Sequence, residues 1–196
     1  MSDWRDGPLP FFLLAIAIIA GASAGVGVAM LISPRIKSTL GWKLNNPGNI
    51  ERGQPWAGLA PEQLHARYAT FIAPEFGIRV IAYLMEKYAN VYGLNTVRGI
   101  ISRYAPVHEN PTDAYMSNVA RALGLTGPKV VDMPFDVNAS MKALIKAIIG
   151  QEIGYGRNPY PDSVIDEGIA LARNPARVAQ VLANPSILPS ASIQFA

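Results

Sequence analysis

The chain has 196 residues, half of which are hydrophobic, and it carries a formal net charge of +3. This length accommodates one membrane span and one domain of ordinary size, and the weak positive charge argues against a nucleic-acid-binding surface, which needs a dense Lys/Arg patch. The sequence contains no cysteine, which excludes disulfide bonds and cysteine-ligated metals.

The first predicted element is a hydrophobic segment near the N-terminus. A short polar head, residues 1–8, precedes an apolar run over 9–33 that contains no charged residue, and about 20 apolar residues suffice to cross a bilayer. A cleavable signal peptide would have a basic head and a shorter core. We therefore expect an uncleaved, single-pass transmembrane helix over 9–33. Basic residues are denser after it than before it, which indicates that the following domain starts on the cytoplasmic side.

Beyond a predicted linker, residues 34–43, the sequence predicts a mainly α-helical domain over 44–183. The region 44–67 is rich in Asn, Pro, Gly and Gln, which indicates loops and a small β-hairpin. Helical spacing of apolar residues, together with caps, prolines and glycines, then predicts helices over 74–91, 97–104, from 110–113 to Gly124, 138–149, 162–172 and 175–182. A Pro/Ser-rich segment, residues 184–196, is expected to be a flexible tail.

The residues that could carry chemistry are carboxylates. The two histidines, His65 and His108, are far apart, and no Asp/Glu/His cluster has metal-ligand spacing, so neither a zinc site nor any other cofactor is expected. No serine motif or cysteine offers a nucleophile for acyl transfer. Cleavage of a glycan needs little more than a carboxylic acid with a raised pKa and a second group that stabilises the cation or activates water.

Glu152 is the leading candidate for this acid. It ends the most apolar predicted helix, where desolvation and the helix dipole both raise the pKa of a carboxyl group; a solvated terminal glutamate is an equally good interpretation. Glu109 is the second candidate, with helix capping as its alternative role. Glu51 and Glu75 are more simply interpreted as surface charges.

Several motifs occur in a fixed order over 44–172: Asn45-Asn46-Pro47-Gly48-Asn49-Ile50, Trp56-x-Gly58, Phe71 with Gly77-Ile78-Arg79, Tyr88, Tyr92–Val97, Ile100–Pro106, Glu109-Asn110-x-Thr112-x-x-Tyr115, and Glu152–Tyr160. Together they resemble a family of lysozyme-like proteins of bacterial viruses, described as virion structural proteins or lysins. Two positions depart from that pattern: Tyr104 stands where a tryptophan is expected, and Glu51 stands where a basic residue is expected.

The resemblance implies an enzyme that cuts the β-1,4 glycan strand of peptidoglycan, as a muramidase or a lytic transglycosylase. It suggests a circularly permuted lysozyme-like arrangement, because the helix that ends in Glu152 follows the Asn-rich turn. Glu152 would protonate the glycosidic oxygen, and Glu109 or an N-acetyl group of the substrate would stabilise the cation. The residues expected to bind sugar are Asn46, Asn49, Tyr104, Asn110, Tyr115 and Tyr160.

The hydrophobic segment and the resemblance together predict a virion membrane protein that resides in the host inner membrane during assembly and degrades peptidoglycan at phage entry. Its expected partners are peptidoglycan, lipid and other virion proteins, and not nucleic acid. Two alternatives remain open. One is a signal-anchor-release endolysin that acts at host lysis, and the other is a non-catalytic structural membrane protein of the virion.

Overall fold

A computed structural model describes residues 32–105 and 112–192. This part of the chain consists of α-helices joined by loops and short 3-10 turns. The helices are α1 (Pro34–Lys37), α2 (Leu40–Lys43), α3 (Pro74–Asn90), α4 (Val97–Tyr104), α5 (Thr112–Ala122), α6 (Met141–Glu152), α7 (Asp162–Arg173) and α8 (Pro175–Ala183), and the 3-10 turns are Val130–Asp132, Pro185–Ile187 and Pro189–Ser192.

The helices from α3 onward begin and end close to the predicted positions, because local signals delimit them. The Thr96 side chain accepts a hydrogen bond from the N–H of Gly99 and caps α4, and Gly124 follows α5 with a φ of +70°, as expected of a glycine that ends a helix. The largest difference concerns α6, which was predicted over 138–149 and extends to Glu152. This extension makes Glu152 the last residue of a regular helix.

The predicted fold class needs correction on two points. Among the described residues, no helix is long and apolar enough to cross a membrane; the predicted span over 9–33 lies outside them except for its last two residues, which precede α1 and are not helical. The predicted β-hairpin is also wrong, because residues 32–105 and 112–192 contain isolated β-bridges and no strand. The Asn46 and Gln63 side chains bind backbone groups of residues 50, 60, 69 and 70, beside the few backbone hydrogen bonds that join the two sides of the loop.

The core is organised around α3, which packs along α7 more extensively than any other pair of elements in the described chain. Gly168 permits this close approach, because a Cβ atom at that position would overlap the side chain of Ile78. Helix α6 contributes four fully buried side chains, Leu144, Ile145, Ile148 and Ile149. Burial of each such side chain stabilises the fold by about 1.5–3 kcal/mol, so α6 and the glutamate at its end are held firmly.

Two segments that were predicted to be loose are part of the domain. In the predicted linker, Trp42 of α2 stacks on Tyr160 with ring centroids 5.1 Å apart. In the predicted tail, Leu188 is buried and Ser190 donates hydrogen bonds to the carboxylate of Glu75. A Pro/Ser-rich composition does not reveal such partners, since they come from distant parts of the chain. Residues 193–196 lie outside the described part.

Candidate functional site

The Asn-rich turn, residues 45–50, is a rigid loop whose shape depends on asparagine. Asn45 and Asn49 have φ values of +51° and +48°, in the left-handed region that asparagine tolerates better than most residues. The Asn46 side chain donates hydrogen bonds to the C=O groups of Ile50 and Ala69 and accepts one from the N–H of Ile50. The N–H of Asn49 donates to the C=O of Asn46 at 3.0 Å. These bonds fix the position from which the Asn49 side chain projects.

The carboxylate of Glu152 lies where three elements meet. Its Oε2 accepts a hydrogen bond from Nδ2 of Asn49 at 2.9 Å, and its Oε1 accepts one from the hydroxyl of Tyr115 on α5 at 3.0 Å. The Asn-rich turn and the end of α6 are therefore in direct contact, as the sequence-based hypothesis requires. Each carboxyl oxygen retains a further lone pair for a proton or a substrate atom.

The surroundings favour a protonated Glu152. Burial raises the pKa of its carboxyl group, and the hydrogen bonds from Asn49 and Tyr115 offset only part of that shift. Burial and the charge of Glu152 also raise the pKa values of the Tyr104 and Tyr115 hydroxyls well above the usual value near 10. Both phenols therefore remain protonated donors at neutral pH, and a carboxyl group with a raised pKa is suited to general acid catalysis.

Glu152 faces a cleft of about 690 Å³, within the size range of ligand-binding pockets, about 300–1,000 Å³. Tyr104 also lines this cleft, and its hydroxyl donates a hydrogen bond to the C=O of Gly48 at 2.7 Å. A Cβ atom at Gly48 would overlap the Tyr104 hydroxyl and the side chain of Ile81. Glycine at this position therefore lets the turn and the end of α4 form one continuous wall.

The rim of the cleft includes residues that sequence reasoning did not select as site residues. Glu51 and Arg67 form an ion pair of 2.7 Å across the loop, and Tyr88 and Arg103 contribute an aromatic ring and a guanidinium group from α3 and α4. Tyr88 and Arg103 belong to the motifs on which the family resemblance rests, but their spacing in the sequence does not predict that they line the same cleft. Only the packing of α3 against its neighbours does so.

Of the residues that were expected to bind sugar, three do not line the cleft, Asn46, Tyr115 and Tyr160, and Asn110 lies outside the described residues. Asn46 is fully enclosed, and backbone groups of the turn occupy its amide; its role is to shape the turn. Tyr160 is buried against Trp42 and does not line the cleft. Asn46 and Tyr160 therefore have structural roles, and their sugar contacts stay predictions. Glu109 and Asn110 lie in the segment 106–111, outside the described residues.

No metal site accompanies the carboxylate in the part of the chain that the structure describes. Within residues 32–105 and 112–192, no group of three or more His, Asp or Glu side chains could hold a metal ion. The described site therefore offers a carboxyl group, an amide, two phenols and the charged residues of the rim as its chemical groups.

The fold and the site define an α-helical protein in which a half-buried glutamate, held by an amide and a phenol, faces a cleft. No model of a known protein family matches the chain. The chain is 33% identical over 150 residues to Protein P5 of Pseudoalteromonas phage PM2, and the match covers 74% of this chain and 89% of that protein. The chain therefore belongs to the same family as this phage protein. This match confirms the predicted resemblance to a protein of a bacterial virus. The lysozyme-like part of that resemblance stays a prediction.

Proposed function

We propose that the protein is a component of a bacteriophage virion that cleaves the β-1,4 glycan strand of peptidoglycan during entry, as a muramidase or a lytic transglycosylase. The observation that carries the enzymatic part is the carboxyl group of Glu152, which faces a cleft, has a raised pKa and is held in one orientation by Asn49 and Tyr115. Membership in the family of Protein P5 of a phage supports the viral part.

In this proposal Glu152 is the general acid. Its proton passes to the glycosidic oxygen as the bond between that oxygen and the anomeric carbon breaks, and positive charge develops on the sugar ring. An N-acetyl group of the substrate or Glu109 stabilises this charge. The carboxylate of Glu152 then accepts a proton from the group that attacks the anomeric carbon, which is water in hydrolysis and the sugar's own 6-hydroxyl in the anhydro-forming reaction.

The hydrogen bonds to Glu152 assist both stages. Asn49 and Tyr115 donate to the carboxylate, and such bonds are stronger when the acceptor is charged. They therefore stabilise the ionised group that remains after proton transfer, while burial raises the pKa of the group beforehand. Tyr104 presents its ring to the cleft as a stacking surface for a sugar.

A dye-release assay tests the proposal. The purified full chain is incubated with dye-labelled peptidoglycan beside Glu152→Gln and a control, Glu62→Gln, which changes an exposed glutamate in the loop region. The unmutated chain and Glu62→Gln should release dye, and Glu152→Gln should be slower by a factor of about 100 or more. Failure of the unmutated chain to release dye would contradict the enzymatic proposal, and undiminished release by Glu152→Gln would remove Glu152 from the reaction.

Mass analysis of the released fragments separates the two reactions. An anhydro-forming enzyme yields fragments that are lighter by one water than the products of hydrolysis. The identity of the reducing-end sugar shows which of the two glycosidic linkages is cut.

The second candidate function is a non-catalytic virion protein. One observation favours it: Asn49 and Tyr115 join Glu152 to two other elements, so the same contacts could serve only to hold the turn, α5 and α6 together. In that case Glu152→Gln should lower the melting temperature, and the unmutated chain should release no dye.

A further inference from the structure

Arg103 is a charged group of the cleft that the proposed reaction does not use. It lies near the end of α4, directly before Tyr104, and it lines the cleft together with Tyr88. Its guanidinium carbon lies 4.1 Å from the ring centroid of Tyr92 and 5.5 Å from that of Tyr88. Two aromatic rings therefore restrict the position of a side chain that is otherwise exposed.

The charged residues that line the cleft differ in the partners they have among the described residues. Of the other charged residues that line it, Glu51 and Arg67 form an ion pair, and Glu152 accepts hydrogen bonds from two neutral donors. Among the described residues, no carboxylate forms an ion pair with Arg103, and its interactions are the two ring contacts. Arg103 thus presents a positive charge to whatever the cleft binds.

We infer that Arg103 is a specificity-determining residue, which binds a carboxylate of the substrate and makes the cleft select an acidic aminosugar polymer over a neutral one. The inference rests on the proposed function and refines its substrate class. A guanidinium group packed against aromatic rings keeps N–H groups free, and two such groups match the two oxygens of a carboxylate. Because the rings already restrict the side chain, less conformational entropy is lost on binding.

The chemistry of the two polymers makes the inference testable. Peptidoglycan and chitin share a β-1,4-linked N-acetylated backbone, but only peptidoglycan carries carboxylates, on its peptide stems. Replacing a residue that binds a carboxylate should therefore weaken binding to peptidoglycan and leave binding to chitin unchanged. A residue with only a structural role would affect both.

The experiment measures retention of the full chain on insoluble peptidoglycan and on chitin. All proteins carry Glu152→Gln so that the polymers stay intact, and the protein with this change alone is the parent. Three further proteins add Arg103→Gln, Arg103→Lys or the control Arg121→Gln. The control removes another exposed arginine, on α5, that does not line the cleft. Arg103→Gln should weaken retention on peptidoglycan about tenfold, the loss expected for one charge-assisted contact, and leave retention on chitin unchanged. Arg103→Lys should restore part of the loss, and Arg121→Gln should behave as its parent.

The outcomes separate this inference from the proposed function. Equal loss on both polymers, no loss on either, or no measurable retention of the Arg103-containing protein on peptidoglycan would overturn the role of Arg103. If the unmutated chain releases no dye but Arg103→Gln selectively weakens retention on peptidoglycan, the carboxylate site is supported and only the enzymatic proposal is contradicted. If the unmutated chain releases dye but the Arg103→Gln variant still prefers peptidoglycan over chitin, only the inference about Arg103 is contradicted.

Discussion

Two glutamates, the half-buried Glu152 and the fully buried Glu75, occupy different parts of the molecule, and burial raises the pKa of both carboxyl groups. Glu152 ends α6 and faces the cleft. Glu75 lies in the first turn of α3, is fully enclosed, and accepts hydrogen bonds from the N–H and hydroxyl of Ser190 at 2.8 and 2.7 Å. The shared pKa shift shows that desolvation alone does not mark a general acid. Access to a cleft distinguishes the two.

The comparison also corrects the interpretation of Glu75 as a surface charge. Its carboxylate lies in the N-terminal turn of a long helix, where the helix dipole favours a negative charge, and it joins α3 to the C-terminal segment through Ser190. Glu75 therefore has a structural role in the described chain, and Glu152 has the exposure that chemistry requires. Each of the following predictions tests this division of roles.

The largest expected effect separates the two glutamates by activity. Glu152→Gln should lower the rate of dye release from peptidoglycan by a factor of about 100 or more, because an amide cannot donate the proton that the leaving oxygen needs. Glu75→Gln should leave the rate within about twofold, because the amide still satisfies both groups of Ser190. Comparable losses of dye-release rate in the two variants would show that access to the cleft does not identify the general acid.

The second effect concerns stability. Glu75→Ala should lower the free energy of unfolding by about 2–4 kcal/mol, because it leaves a cavity and an unpaired N–H at Ser190. The matched control on the same helix is Glu86→Ala, which removes a surface ion pair with Arg173 and should cost less than about 1 kcal/mol. Urea denaturation of the full chain measures both values. A cost for Glu75→Ala no greater than that of the control would contradict the structural role.

The third effect is a shift in the pH profile. The acid must be protonated, so activity should fall as pH rises through the pKa of Glu152. The hydrogen bond from Tyr115 lowers that pKa and partly offsets burial, so Tyr115→Phe should raise the pKa and move the falling limb of the profile to higher pH. The pH dependence of dye release measures this shift.

The control for this shift is Tyr160→Phe, which removes the hydroxyl of a buried tyrosine that does not line the cleft. It should leave the falling limb in place. Movement of the limb to lower pH in Tyr115→Phe would show that the Tyr115 hydroxyl does not stabilise the ionised form of Glu152.

The smallest effect concerns the C-terminal segment. Ser190→Ala removes one of the two hydrogen bonds to Glu75 and retains the bond from the backbone N–H, so it should lower the free energy of unfolding by about 1 kcal/mol. Thermal denaturation checks the value, and Ser186→Ala, an exposed serine in the preceding 3-10 turn, serves as its control. A stability equal to that of the control would mean that the hydroxyl contributes nothing to holding this segment.

The helices were predictable because their signals are local. Thr96 and Asn174 mark helix starts, glycines mark ends, and the apolar period shows which faces are buried. The Asn-rich turn and Glu152 were also identified from the sequence as candidate site residues. The predicted hairpin is wrong because the two sides of the loop form only isolated bridges in the described chain, and side chains of Asn46 and Gln63 supply much of its hydrogen bonding. The alternation of apolar and polar residues does not reveal such side-chain contacts.

The sequence by itself determined the helices from α3 onward and the carboxylate at the end of α6. Only the tertiary structure decided which side chains hold that carboxylate. Asn49 and Tyr115 are separated from Glu152 by 103 and 37 positions, and they meet it because the core of α3, α6 and α7 brings their elements together. Such contacts depend on the packing of the whole domain, whereas helix periods and caps depend on a few neighbouring residues.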